Sequence, residues 1–74
     1  MRLIDVEHDV WFKVVAFEGD RNFQQHLLRH GLYPGDCARV LRVAPLNGPL
    51  LVEVDGREVA LGPGVAEKII VEVR

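Results

Sequence analysis

Between Gly31 and Val54 the chain is broken twice in quick succession, and the breaks leave room for short strands and little else. The first break is Gly31-Leu32-Tyr33-Pro34-Gly35-Asp36 and the second is Pro45-Leu46-Asn47-Gly48-Pro49. Proline cannot donate to a β-ladder and glycine relieves the penalty for positive φ, so each cluster ends whatever precedes it. Gly31, Pro34, Gly35, Pro45, Gly48 and Pro49 are therefore read as structural turn residues. The run from Cys37 to Ala44 reads as one strand, and Leu50 to Val54 launches the next. A helical segment precedes the first break; only β-like runs follow the second.

The remaining segments fit around this unit. Leu3 to Val6 is too short to do more than cover one end of a core. Val10 to Phe17 is rich in β-branched and aromatic residues, with Val10, Phe12, Val14 and Ala16 on one face and Trp11, Lys13, Val15 and Phe17 on the other. Asp20 is placed to N-cap a helix over Arg21 to His30, whose stripe is Phe23, Leu27 and His30 with His26 at its edge. Gly31 stops that helix and Pro34 prevents its resumption. Leu41 falls out of phase with Ala38 and Val40, which calls for a bulge or for cover on both faces. Leu50, Val52 and Val54 alternate cleanly with Leu51, Glu53 and Asp55. Asp55-Gly56 is a two-residue hairpin signal, and Val59 and Leu61 face the core on the return. Gly62-Pro63-Gly64 breaks that strand, Val65 to Glu67 has room for one helical turn, and Ile69, Val71 and Val73 are the inward face of a closing strand. The expected fold is mostly β: a small five-stranded, partly open barrel of SH3 type with one short α-helix after the first strand, forming a single domain over 1–74.

Composition excludes several function classes. Nine Lys and Arg against eleven Asp and Glu give a net charge of −2, with basic residues dispersed among acids, so nucleic acid is not an expected partner. No stretch is apolar for the ~18 residues a membrane span needs, and the first residues lack the apolar core of a signal peptide. A single cysteine excludes an internal disulfide and suits a reducing compartment, so a cytoplasmic protein without membrane insertion is expected. The chain has no serine or threonine, and Cys37 follows Asp36, which discourages a thiolate; Cys37 reads as a small buried hydrophobe. Gly62-Pro63-Gly64 lacks an N–H that a phosphate cradle needs. No catalytic residue and no cofactor are expected.

Two weaker signals concern binding. His26 and His30 are four apart on the helix, where two rings can meet one ion, and His8 and Asp9 form a second pair. Zinc takes three or four ligands, so His26 and His30 are weak metal candidates only, and zinc or iron held there would be adventitious. Leu28, Leu51, Ile70 and either Trp11 or Phe12 fall opposite the core pattern; Trp11, Leu28, Leu51 and Ile70 are taken as partner-contact residues.

Taken together, the motifs resemble the FeoA family, the small cytoplasmic SH3-like proteins that accompany the bacterial ferrous-iron transporter FeoB. The family's L-x-x-L-G-x-x-P-G junction resembles Leu27 through Gly31 to Pro34-Gly35, and its P-L-G-G-P-I signature resembles Pro45-Leu46-Asn47-Gly48-Pro49-Leu50, followed by Val52 and Val54. Gly56, Ala60-Leu61, Ala66, Ile69 and Val71 resemble the family's later pattern. His30 replaces an apolar residue and Asn47 a glycine. The resemblance implies a non-enzymatic interaction module that binds the cytoplasmic domains of the transporter and supports or regulates iron uptake. Homo-oligomerisation is left open. The competing readings are a regulatory domain related to the C-terminal domain of metal-dependent repressors, or a weak metal carrier.

Overall fold

The computed structural model describes residues 1–74. Its elements are a 3-10 turn (Leu3–Asp5), β1 (Trp11–Phe17), α1 (Arg21–Arg29), β2 (Cys37–Val43), β3 (Leu50–Val54), β4 (Arg57–Leu61), α2 (Pro63–Ala66) and β5 (Ile69–Val73). The five strands form one sheet in the order β4-β3-β2-β1-β5, with every pairing antiparallel. β4 and β5 are its two edges and do not pair, which leaves the barrel partly open, as strand number and spacing predict.

Two irregularities bend the sheet. In β2 the register passes from Val40 opposite Val52 to Arg42 opposite Leu51, so of the two readings its broken phase left open, Leu41 takes the bulge. In β1 it passes from Val14 opposite Val71 to Ala16 opposite Ile70. This second bulge was not visible in the pattern, and it reverses the last part of β1. Ala16, expected on the core face, is exposed, while Phe17 packs against the core. Val73 departs too: it ends β5 beyond the buried layer and is exposed. The β3–β4 hairpin follows expectation, with Asp55 and Gly56 at φ 51° and 76° and Val54 paired with Arg57.

The core contains 16 side chains, all apolar, with Phe12, Leu3, Leu27 and Leu32 the largest fully buried ones. Leu3 and Val6 plug one end of the barrel, held there by a bridge between Arg2 and Ile70 and by the Val71 N–H donating to the Met1 carbonyl at 2.7 Å. α1 begins where the Asp20 carboxylate accepts from the Phe23 N–H at 2.9 Å. It ends in a Schellman motif: the Gly31 N–H donates to the Leu28 carbonyl (3.0 Å) and the Leu32 N–H to the Leu27 carbonyl (3.2 Å), with Gly31 at φ 82°. Leu27 and Leu32, the apolar pair that accompanies this motif, are both buried. His30 is the capping residue, turned off the helical stripe and exposed, so it does not fill the core end of α1. The turn expected over Val65 to Glu67 instead starts at Pro63, because proline lacks an N–H that the first helical position does not use.

Candidate functional site

The second Gly/Pro break is the tip of the β2–β3 hairpin, just beyond the Val43–Leu50 pair. The Ala44 N–H donates to the Pro49 carbonyl and the Gly48 N–H to the Pro45 carbonyl, each at 3.2 Å. Between the latter two, Leu46 (φ 58°) and Asn47 (φ 60°) are both left-handed, the geometry of a type I′ turn. Asparagine accepts that conformation. Leucine does so at about 1–2 kcal/mol, and here burial offsets none of it, because Leu46 is 98% exposed. Gly48 is required for packing: a Cβ there would stand 2.6 Å from that of Ala44. At the foot of the turn lies an apolar groove of about 330 Å³ lined by Ile4, Val43, Ala44, Leu50, Pro63 and Ala66, among others. Val43 is itself 52% exposed. Sequence reasoning classed this segment as a turn and passed over its side chains; the available signal was a leucine where turns carry polar residues.

The apolar residues singled out from sequence lie elsewhere and apart. Trp11 is 47% exposed, but its cross-strand neighbour is Arg39, whose guanidinium sits 5.3 Å from the ring centroid and donates to Glu53 Oε1 at 3.1 Å. Leu51 pairs with Arg42 and Ala60 further along the sheet, and Ile70 pairs with Ala16 at the other end of β1. Leu28 is on α1, and Leu28, Leu51 and Ile70 are each half-buried. Cys37 is exposed rather than buried: it occupies the outward position opposite Lys13, and Arg74 Nη1 approaches its sulfur to 3.4 Å.

A third region is the C-terminal end of α1. The His26 and His30 rings meet edge to face, with centroids 4.5 Å apart. They border a groove of about 240 Å³ whose other walls are Leu27, Ala60, Leu61, Gly62 and Val65. Arg57 crosses from β4 to donate to the His30 and Gly31 carbonyls at 3.3 and 3.0 Å, taking up acceptors that the helix leaves free. His8 is remote from this pair and lies 3.4 Å from the Asp9 carboxylate. No group of three or more His, Cys, Asp or Glu residues is arranged to hold a metal ion.

An exposed ion pair joins the N-terminal segment to the end of β1. The Arg2 guanidinium hydrogen-bonds the Glu18 carboxylate, which lowers the Glu18 pKa and raises that of Arg2. No helix is long and apolar enough to cross a membrane.

A family model, the FeoA domain, matches residues 1–73. This chain belongs to the FeoA domain family. Among solved structures, an iron uptake regulatory protein (FeoA) superimposes with a TM-score of 0.91 at 31% identity, covering 100% of this chain and 97% of that one. Iron(II) transport protein A from Clostridium thermocellum gives 0.91 at 27% identity, with 99% of this chain and 45% of that one covered. ScaR with bound Zn2+ gives 0.88 at 25% identity, but this chain spans 36% of its length. No curated protein matches by sequence. The FeoA fold is thus the SH3-like barrel expected from the strand pattern, and the same fold recurs as one part of longer chains, among them a manganese-dependent transcriptional repressor, of which this chain covers 40% at 22% identity with a TM-score of 0.87.

Proposed function

We propose that this FeoA-domain protein is a non-enzymatic docking module of the cytoplasm that binds the cytoplasmic domains of a FeoB-type ferrous-iron transporter and so supports or regulates iron uptake. The observation that carries the reading is Leu46: an apolar side chain held 98% exposed on a left-handed backbone, in a turn whose next two residues, Asn47 and Gly48, line an apolar groove. Strain that no internal contact offsets is a mark of a segment selected for what it presents. An exposed leucine beside a groove suits a partner that offers apolar side chains in return. Membership of the FeoA domain family supports this choice of partner. Trp11, Leu28, Leu51 and Ile70 are proposed as outlying contacts, with Leu28, on a different element from Leu46, the one that would extend the interface furthest.

The test is a binding titration of the transporter's purified cytoplasmic domains against the wild-type chain, Leu46→Asn and Leu28→Asp. Asparagine keeps the left-handed turn and removes the apolar anchor, so Leu46→Asn should fold normally and lose at least tenfold in affinity. Leu28→Asp should lose less. Undiminished binding by a folded Leu46→Asn would remove the tip from the interface, and absence of binding by the wild type would overturn the reading.

The likeness in fold to a manganese-dependent transcriptional repressor supports a second reading, a regulatory SH3-like domain acting on a metal-responsive DNA-binding protein. The helices at Arg21–Arg29 and Pro63–Ala66 do not make a DNA-reading pair, so on that reading the nucleic-acid contact lies outside residues 1–74.

A further inference from the structure

We propose that His26 and His30 form a two-imidazole binding site for a divalent transition-metal cation at the C-terminal end of α1, with the remaining coordination positions taken by water. From spacing alone, the pair could be set aside on the ground that His30 completes the buried stripe of the helix. The structure removes that ground. His30 is the exposed capping residue, His26 is exposed beside it, and their rings face one another 4.5 Å apart over an open groove.

The separation suits shared coordination. A metal–nitrogen bond of about 2.0–2.1 Å puts each ring centroid roughly 3.2 Å from the ion, so two imidazoles at about 90–110° have centroids some 4.5–5.2 Å apart. The observed distance is within that range. The edge-to-face contact opens to a shared ion by rotation about the His side-chain torsion, whose well is broad. Imidazole selects borderline ions of the zinc, nickel, cobalt and ferrous class over calcium or magnesium. The helix dipole adds favourable potential at this end, and the charge opposing it is the Arg57 guanidinium, already committed to the His30 and Gly31 carbonyls, together with Arg29. β4, α2 and Gly62 between them contribute Ala60, Leu61, Val65 and the glycine itself to the groove, none of them charged. With no third protein ligand, the hold is exchangeable rather than structural. The site is independent of the proposed docking tip, since none of the residues lining either groove is shared between them.

The experiment titrates untagged protein with NiCl2, and separately ZnCl2, followed by amide and imidazole NMR signals at pH 7.5. Ni2+ should broaden His26, His30 and their groove neighbours first. His26→Gln and His30→Gln should each weaken binding at least tenfold while leaving the amide spectrum folded. His8→Gln and Leu46→Asn should leave it unchanged. Broadening centred on His8 or the terminal amine would overturn the proposal. So would equal loss in His8→Gln and His30→Gln, or no perturbation at tenfold excess of metal.

Discussion

The two Gly/Pro breaks that flank β2 look alike in sequence and do opposite things in the fold. The first turns inward. Its Schellman motif buries Leu27 and Leu32, its Gly35 N–H donates to the Val14 carbonyl at 2.7 Å, and the Asp36 carbonyl accepts from the Val14 N–H at 2.8 Å. The Asp36 carboxylate also accepts from the Tyr33 N–H at 2.9 Å, so the loop is tied both to itself and to β1. The second turns outward. It is closed by two local hydrogen bonds, bears its one left-handed leucine in solvent, and makes no side-chain hydrogen bond elsewhere. One break fastens the helix to the sheet; the other displays a side chain. Punctuation residues announce that the chain turns, and the residues between them decide what the turn is for.

If that contrast holds, the largest difference should be between the leucines of the two breaks. Leu32→Ala removes a side chain 1% exposed in the first and should cost about 2–5 kcal/mol in urea unfolding. That is a large share of the stability available to so small a domain. Leu46→Ala should stay within about 0.5 kcal/mol of wild type, the range for exposed positions. Comparable losses at the two sites would break the comparison. Next in size is Gly31→Ala, expected to cost roughly 2 kcal/mol. Left-handed alanine accounts for about 1–2 of that, and the new Cβ would also collide with the Arg57 guanidinium. Arg57→Ala alone should cost about 1 kcal/mol through the two orphaned carbonyls. A double-mutant cycle should then find the Gly31 penalty smaller in the Arg57→Ala background, and strict additivity would show that the guanidinium does not press on Gly31.

This division also marks what the sequence disclosed. Periodicity and turn chemistry located all five strands, the Asp20 cap, the Gly31 stop and the Asp55-Gly56 hairpin, and marked Leu41 as out of phase, because each is written in a handful of neighbouring residues. The bulge at Val15 was not legible, since Val14 to Phe17 is apolar throughout and gives no phase to break. Ala16 and Phe17 were mis-faced as a result. Cys37 was placed inside on the habit of its residue type, whereas its register opposite Lys13 sets it outside. The surface was less readable than the core. Contiguity between Trp11, Leu51 and Ile70 depends on strand order and register, and these separate them. Leu46 went unnoticed because a turn reading accounts for Pro45, Asn47, Gly48 and Pro49 and leaves no reason to ask about the fifth residue. His26 and His30 were identified by spacing, but their exposure depends on the cap geometry of a helix end.

Relief of strain should sharpen the outward half of the contrast. Leu46→Asn substitutes the residue type best suited to φ 58° and should raise stability by about 0.5–1 kcal/mol, read as a shift in the urea midpoint at constant slope. A loss instead would mean that the leucine packs on the neighbouring groove in solution and belongs with the inward contacts.

The smallest effect tests whether exposed polar contacts hold this fold at all. Arg2 joins three parts of the chain, donating to the Glu18 carboxylate and, at 2.8 Å, to the Glu67 carbonyl after α2. Hydrogen bonding from Arg2 lowers the Glu18 pKa, so Glu18 binds its proton less readily in the folded chain than in the unfolded one. Its contribution is therefore fully present above the unfolded carboxylate pKa, near 4.3, and is lost as pH falls through the lower folded value. Both side chains are solvent-exposed, so screening keeps that contribution small. Melting curves of wild type and Glu18→Gln should differ slightly at pH 7 in low salt, less in 0.5 M NaCl, and progressively less as the pH is lowered. A large, salt-insensitive gap would place this pair among the interactions that fasten the N-terminal segment over the core, alongside Leu3 and Val6, and the inward half of the molecule would then extend to its charged rim.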